Sequence, residues 1–332
     1  MTLEKKQNLK RVIKSIYVYA LLLLVVAVLS QLRGDLFKRG NFLFLPNIQS
    51  LIRMSVPILL ISGAFTLIFI TGNIDLSVGS TLSLTTVTHA ILVLNGIPFL
   101  LSLAVVIVMG VLLGAINGLL VMKLKITPVI ATLITMNAYQ GIARYLVPPG
   151  TSSITSSSVA KMPQWMGDFS KTPVLLGLSW ACIVAVAVMI GLVIVQRKTV
   201  FGKHLVAIGG NRTAATLSGI NVVKTVSAVY ILIGAISALA GVARASYLLI
   251  GNPYTGQGAE TDAIIACLLG GTVFTGGEGS VVKSFVGALI IVCLTFGLKS
   301  VIPEYWQMLA TGVVLVSAVV LNHLLSKETI VS

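Results

Sequence analysis

The residues that could carry chemistry lie in three polar, glycine-rich stretches of an otherwise apolar chain of 332 residues. These stretches cover residues 72–80, 207–222 and 258–280. In the first, Asp75 precedes Ser77, and short oxygen-bearing side chains of this kind can cap the helix that follows, whose N-terminal end carries partial positive charge. Helix capping is therefore the simplest chemistry that this stretch predicts.

The second stretch predicts a short helix within a polar segment. Asn211 can cap this helix, and Gly219 can end it in a left-handed conformation. Ala214 and Ala215 give the helix a small face that is edged by Leu217. Such a helix suits a groove on a partner protein, and the alternative is a plain linker.

The third stretch is dense in small residues and contains two glycine pairs, Gly270-Gly271 and Gly276-Gly277. Small residues let helix backbones approach closely inside a membrane, so the stretch predicts tight packing at a pore or a dimer seam. In form it resembles the first stretch, because an apolar run leads into a turn with one acid and a Gly-Ser pair. The likeness hints at an internal duplication.

Several classes of chemistry are excluded by what the sequence lacks. No glycine-rich loop ending in Gly-Lys-Ser/Thr is present to bind nucleotide phosphates. The histidines and cysteines lack metal-ligand spacing, so we predict no metal, no cofactor and no catalytic residue. We expect the histidines at surfaces or helix ends and the cysteines as small buried hydrophobes. They are His89, His204, His323, Cys182, Cys267 and Cys293.

The acidic residues argue against an ion-driven carrier. Carriers of that kind usually bury carboxylates at mid-membrane, whereas we expect all nine acids of this chain at or near helix ends. They are Glu4, Asp35, Asp75, Asp168, Glu260, Asp262, Glu278, Glu304 and Glu328.

Composition indicates an all-α integral membrane protein. Hydrophobic residues make up 56% of the chain and charged residues only 10%, whereas charged residues form about a quarter of a soluble domain. A bilayer core of about 30 Å requires about 20 apolar helical residues, and about ten segments approach that length, some of them short or broken. They are Ile16–Leu32, Val56–Ile70, Val78–Leu94, Phe99–Met122, Val129–Val147, Val174–Val195, Val226–Leu249, Val286–Leu298, Tyr305–Leu321 and the short Ala263–Phe274.

The distribution of basic residues predicts the orientation of these segments. Ten crossings put both termini on one side, and most of the 23 Lys and Arg residues lie on inner segments if that side is the cytoplasm. A cluster from Arg33 to Arg53 violates this pattern, either because residues 42–53 form an amphipathic surface segment or because the first crossing is misplaced. We interpret the basic residues Lys5 to Lys14 as a contact with anionic lipid and not with nucleic acid.

The chain also carries a resemblance to a known family. The strings GNIDLSVGS at 72–80, AIGGNRTAATLSGINV at 207–222 and GAETDAIIACLLGGTVFTGGEGS at 258–280 resemble the permease subunits of ribose-, galactose- and arabinose-type ABC importers. The pattern NG-LLV-KLKI-P-IATL at 117–133 is similar too. The likeness runs in the same order from about residue 40 to 322, with Arg212 and Lys283-Ser284 as departures. The family includes permeases for the autoinducer-2 signal and relatives for nucleosides.

The resemblance implies a set of partners in a bacterial inner membrane. They are a second permease subunit, either identical or a paralogue, cytoplasmic ATP-binding subunits, and an extracytoplasmic solute-binding protein. It also implies that the second stretch holds a coupling helix, whose matching residues are Gly210, Asn211, Ala214, Ala215, Ser218 and Gly219. Candidate pore-side residues in the family motifs are Asn73, Asp75, Ser77, Gly79, Ser80, Glu260 and Asp262.

The resulting organisation is one transmembrane permease domain at residues 16–325 with cytoplasmic tails at 1–15 and 326–332. Within it, residues 196–225 form the coupling loop, and residues 148–173 form an extracytoplasmic loop that we expect to face the binding protein together with residues 252–257. The leading hypothesis is a non-enzymatic permease for a monosaccharide or similar small polar solute. The alternatives are an autoinducer-2 or nucleoside permease of the same family, a self-contained ion-coupled carrier, and a membrane-embedded enzyme.

Overall fold

The protein is described from a computed structural model, which covers residues 3–32, 43–154, 162–175 and 177–298 together with isolated positions between 303 and 320. Side chains are described from residue 16 onward. The C-terminal tail 326–332 lies outside the described residues, and so do most of the expected crossing Tyr305–Leu321 and most of the basic cluster that begins at Arg33.

Within these ranges the chain forms helices and one short β-hairpin. The elements are α1 (Leu3–Leu32), α2 (Leu45–Ile70), α3 (Val78–Leu94), α4 (Phe99–Met122), α5 (Pro128–Tyr145), α6 (Gln164–Lys171), β1 (Pro173–Leu175), β2 (Leu178–Ser179), α7 (Trp180–Lys198), α8 (Val200–Gly210), α9 (Arg212–Leu217), α10 (Val222–Leu248), α11 (Ala259–Leu269) and α12 (Val281–Leu298).

The described helices make this a multi-pass membrane protein. Five of them, α2, α4, α7, α10 and α12, are long and apolar enough to cross a bilayer, and α1 and α3 contain shorter apolar stretches of 10–17 residues. Two sequence-based boundaries are corrected. The run expected from Val174 begins as a helix only at Trp180, because β1 and β2 pair before it. The described part of the expected surface segment, residues 43–53, is no separate element, because α2 starts at Leu45 and continues to Ile70.

Side-chain caps set where the helices that follow α7 begin, up to and including α10. The side chains of Thr199, Asn211 and Asn221 accept hydrogen bonds from backbone N–H groups in the first turns of α8, α9 and α10. The predicted coupling loop is therefore mostly helical, and α8 was not anticipated. At its other end α10 stops at Leu249, which takes a left-handed conformation with φ of 58°.

Helix α10 forms the centre of the bundle and packs against α2, α3 and α4. Glycines allow the closest approach: a Cβ on Gly234 would overlap the carbonyl oxygen of Gly110, and one on Gly114 would overlap that of Tyr230. Tyr230 itself is fully buried in the apolar core beside residues of α2. Backbone contact of this kind holds α4 tightly against α10.

The position of α3 along α10 shows that α3 begins inside the bundle. Helix α10 has 27 residues and is about 40 Å long. Tyr230 lies in the N-terminal half of α10, and its hydroxyl donates to the carbonyl oxygen of Ile74 over 3.0 Å. Further along, the hydroxyl of Thr86 in α3 donates to the carbonyl oxygen of Gly241 in α10 over 3.1 Å. Val78, the first residue of α3, therefore lies near the middle of α10.

Helix α11 begins at the same depth and runs the opposite way. Gly256, just before α11, packs on Gly79 in the first turn of α3, and its N–H donates to the hydroxyl of Ser83 over 2.9 Å. With 11 residues, α11 is about 16 Å long, so the segment 263–274 does not span a bilayer as a helix, and the helix ends at Leu269.

These two half-helices form an inverted pair. In each case a long helix (α2 or α10) is followed by a non-helical segment (71–77 or 249–258) that enters the bundle and then by a half-helix. The C-terminal end of α2 lies at the face of the bundle that carries α8, because Ile70 contacts Gly209 at the end of α8. In the structure the likeness of form thus relates residues 71–77 to 249–258, and not to the turn around Gly276.

Candidate functional site

Asp75 is the buried centre of a hydrogen-bonded cluster just before the N-terminus of α3. Only 2% of its surface is exposed. Its Oδ1 accepts from the backbone N–H of Ser77 over 2.9 Å and from the Ser77 hydroxyl over 2.7 Å, and the amide of Asn117 on α4 donates to its Oδ2 over 3.2 Å. Asp75 does not cap α3 directly, because Ser77 is the N-cap residue. The cluster instead fixes the non-helical segment 71–77 against α4.

The other predicted residues of the first stretch support the same turn. The amide of Asn73 donates to the carbonyl oxygen of Thr71 over 3.1 Å, and the hydroxyl of Ser80 donates to the backbone carbonyl oxygen of Ser77 over 2.8 Å. Gly79 has no room for a side chain, because a Cβ would overlap the carboxylate of Glu260 and the carbonyl oxygen of Gly256. The fold therefore brings the first and third stretches together where the two half-helices begin.

The acids of the third stretch face different surroundings. Glu260 lies against the first turn of α3, whereas Asp262 lines a cavity together with Arg244 of α10. The sequence reasoning missed Arg244, Asn117 and Gln257, because nothing in their local pattern distinguishes them from helix-end or loop residues. The NG pair at 117–118, which belongs to the family pattern, was the one available signal for Asn117.

Helix α9 has the predicted form. The side chain of Asn211 accepts from the N–H of Ala214 over 2.9 Å, and Gly219 takes φ of 82° just after the helix. Ala214 and Ser218 are exposed, but Ala215 is only 4% exposed and packs in the chain's own core. The large apolar side chain that α9 exposes is Leu217, which is 84% exposed.

A backbone contact among glycines joins α9 to the bundle. The N–H of Gly277 donates to the carbonyl oxygen of Ile70 over 2.8 Å. Gly209 packs so closely on this pair that a Cβ would overlap both atoms, and a Cβ on Gly276 would lie 2.8 Å from the nitrogen of Gly72. Three segments therefore contact one another directly through backbone atoms: the end of α8, the end of α2 and the turn between α11 and α12.

Gln196 strengthens the same region. Its side-chain amide donates to the carbonyl oxygen of Gly279 over 2.7 Å and accepts from the N–H of Val281 over 3.0 Å. Both bonds tie the end of α7 to the start of α12. The segment that carries α9 is thus attached to the turns that lead into or out of both half-helices.

The expectations for titratable residues are partly corrected. All three cysteines are buried and form no disulfide bond, as predicted. His89 is wrong as a surface or helix-end residue: it is buried in α3, and its Nδ1 lies 2.7 Å from the Ser102 hydroxyl. Asp75 and Glu260 do lie near helix ends, but those ends are inside the bundle. Among the described residues no group of three or more potential metal ligands is found.

A multi-pass helical bundle with an inverted pair of half-helices belongs to the class of membrane transport proteins. Residues 47–319 match the family of permease components of the branched-chain amino acid transport system. The chain therefore belongs to this family. Because the members are transport components, the prediction that the chain is not an enzyme is confirmed.

Individual relatives agree with the family over nearly the whole chain. The chain is 34% identical to the ribose import permease protein of Haemophilus influenzae over 92% of each chain. It is 35% identical to the ribose import permease protein of Bacillus subtilis over 85% of this chain and 86% of that one. With the xylose transport system permease protein of Escherichia coli it shares 31% identity over 84% of this chain and 85% of the relative. No solved structure matches.

Proposed function

We propose that the chain is the pore-forming permease subunit of an ATP-driven importer for a monosaccharide or similar small polar solute. Separate cytoplasmic subunits would hydrolyse ATP, and an extracytoplasmic binding protein would deliver the solute. The observation that carries this proposal is α9, a capped helix on a polar segment that exposes Leu217 and is attached through Gly209 to the half-helices. The solute class comes from the relatives, which import ribose or transport xylose.

The partners follow from the same assignment. A second permease subunit, identical or a paralogue, completes the pore, and Gly210, Asn211, Ala214, Ser218 and Gly219 lie on or beside the surface that the ATP-binding subunit contacts. Ala215 supports that surface from within. The protein sits in the inner membrane of a bacterium, and its basic N-terminal tail contacts anionic lipid.

The binding protein would dock on the outer face. There the segment 148–173 meets the end of α10, because Ile154 and Gly251 exchange two backbone hydrogen bonds of 2.7 and 2.8 Å. Of the predicted loop 252–257, Tyr254 is exposed, whereas Pro253 and Gly256 are buried. The proposed docking surface is therefore the segment 148–173 together with the exposed Tyr254 and Gln257 of the loop.

One observation favours the carrier alternative. Asp75 is a carboxyl group buried inside the bundle, which is a feature of ion-driven carriers, and among the described residues it forms no ion pair with a cation. Its oxygens are, however, occupied by Ser77 and Asn117. Uptake into liposomes that contain the chain alone, driven by a sodium or proton gradient, would support the carrier; we expect none.

We expect ATP hydrolysis and solute import only from the complete assembly. The isolated chain has no phosphate-binding loop in its sequence, so it should hydrolyse no ATP. Proteoliposomes with the permease, its ATP-binding subunit and its binding protein should import radiolabelled ribose or xylose when ATP is supplied. Robust turnover of ATP by the purified, partner-free chain would contradict the proposal.

We expect ten membrane segments with both termini in the cytoplasm. Lys327→Cys should react with a membrane-impermeant maleimide only after the membrane is permeabilised, whereas Thr151→Cys should react in intact cells. The native thiols give a low background, since Cys182, Cys267 and Cys293 are buried. Reaction of Lys327→Cys from outside in intact cells would overturn this topology.

A further inference from the structure

A partly open cavity of about 200 Å³ lies between α2, α3, α10, α11 and α12. Much of its wall is apolar and is formed by residues such as Ile61, Leu82 and Ile291. Five polar side chains line it as well: Arg244 of α10, Thr255 and Gln257 of the segment 249–258, Asp262 of α11, and Thr295 of α12. The cavity therefore combines an apolar wall with a small polar group, which is typical of a ligand site.

Within the described part of the chain, no hydrogen bond or ion pair joins any of these five side chains to another residue, and Arg244 and Asp262 form no ion pair with each other. Arg244 is half-buried, whereas Asp262 and Gln257 are exposed. Ionisable residues inside a membrane bundle usually mark a substrate path. The hydrogen-bonding groups of these side chains are therefore available to water or to a solute.

The backbone around the cavity is also unusual for a membrane protein. The segment 249–258 is non-helical and reaches the depth of the first turn of α3, where Gly256 packs on Gly79. Irregular backbone at such depth is tolerated where it is buried in protein or lines a water-filled cavity. In proteins built from inverted repeats, solute sites lie where broken helices begin, near the midplane.

We propose that this cavity is a solute subsite within the single permease chain, and that it binds a neutral, polyhydroxylated solute of monosaccharide size. Arg244 donates hydrogen bonds, Asp262 accepts them, and Gln257 and Thr255 do both. One cation and one anion cancel, which suits a neutral ligand with several hydroxyl groups. The volume equals that of about seven waters, which fits one small solute. This inference rests on the proposed function and adds to it the place where the solute is held.

Solute protection of an introduced cysteine tests the subsite directly. Thr255→Cys lines the cavity, and its alkylation by a small hydrophilic reagent can be followed in the full permease in vesicles. A weak site has a Kd in the millimolar range, so about 50 mM sugar should fill most of it. We expect ribose or xylose at this concentration to slow the alkylation severalfold. The same sugars should leave Thr151→Cys, on the outer surface, unaffected.

Variants of the polar residues complete the test. Adding Asp262→Asn or Arg244→Gln to Thr255→Cys should remove the protection, because losing a charge-assisted hydrogen bond weakens binding about ten- to a hundredfold. In the assembled importer Arg244→Gln should lower sugar import by a similar factor, whereas Arg197→Gln, an exposed arginine at the end of α7, should leave import unchanged.

The outcomes separate the subsite from the function as a whole. If the wild-type assembly imports ribose or xylose but neither sugar protects Thr255→Cys, the subsite is wrong and the proposed function stands. Protection by leucine in place of the sugars would overturn the ligand class. If the wild-type assembly imports neither sugar under ATP, the proposed function fails for these solutes whatever the labelling shows.

Discussion

Gly209→Ala is expected to destabilise severely the face of the permease where α8 meets the end of α2. The new Cβ would overlap the carbonyl oxygen of Ile70 and the nitrogen of Gly277, which are hydrogen-bonded to each other, so that bond must break or the helix ends must separate. Neither atom belongs to a flexible side chain. Overpacking costs about 1–3 kcal/mol, and a clash with fixed backbone lies at the upper end of that range.

The measurement is thermal unfolding of the detergent-solubilised protein, where a loss of about 3 kcal/mol corresponds to a fall in Tm of roughly 5–10 °C. The neighbouring residue gives a matched control. Gly210 is also in α8, and a Cβ placed on it meets no atom within 4 Å, so Gly210→Ala should keep or slightly raise the Tm. Equal Tm values for Gly209→Ala and the wild type would contradict the glycine contact.

Leu217→Asp is expected to uncouple the permease from its ATP-binding subunit while leaving the fold intact. The Leu217 side chain is 84% exposed on α9, so the chain's own packing loses little when it is replaced. An apolar anchor in a partner's groove typically contributes 2 kcal/mol or more, which corresponds to about 30-fold weaker association. Import and transport-coupled ATP hydrolysis should fall together, and the Tm of the isolated permease should not change.

Two further variants make this result specific. Val200→Asp introduces the same charge at an exposed position of α8 and should retain import. Ala215→Trp would also abolish transport, but for another reason: Ala215 is buried in the permease's own core, so this variant should lower the Tm. Normal sugar import by a well-expressed Leu217→Asp protein would refute the coupling role of α9.

Local sequence signals were sufficient where a feature depends on neighbouring residues. Asn211 caps α9 and Gly219 ends it as predicted, because a cap and a left-handed turn are decided within a few residues. The length of α10 and the burial of the cysteines also followed from apolar runs alone. The family strings then identified a permease without any knowledge of the packing.

The same signals failed where contact between distant segments decides the outcome. Ala214 and Ala215 are identical in the sequence, yet one faces outward and the other faces the core. His89 was placed at a surface because one histidine gives no sign of the Ser102 hydroxyl that approaches it from α4. Asp75 was placed near the membrane surface because helix ends usually lie there, which does not hold when a helix begins halfway through the bundle.

The sequence by itself determined that this is a polytopic, helical, non-catalytic permease with a capped short helix, because hydropathy, capping residues and motif strings are properties of contiguous residues. Only the tertiary structure decided that α3 and α11 are half-helices whose starts meet at Gly79 and Gly256. It also decided that Arg244 and Asp262 line one cavity. Such neighbours come from segments that are far apart in the chain, and their meeting depends on how closely bare glycine backbone lets the helices approach.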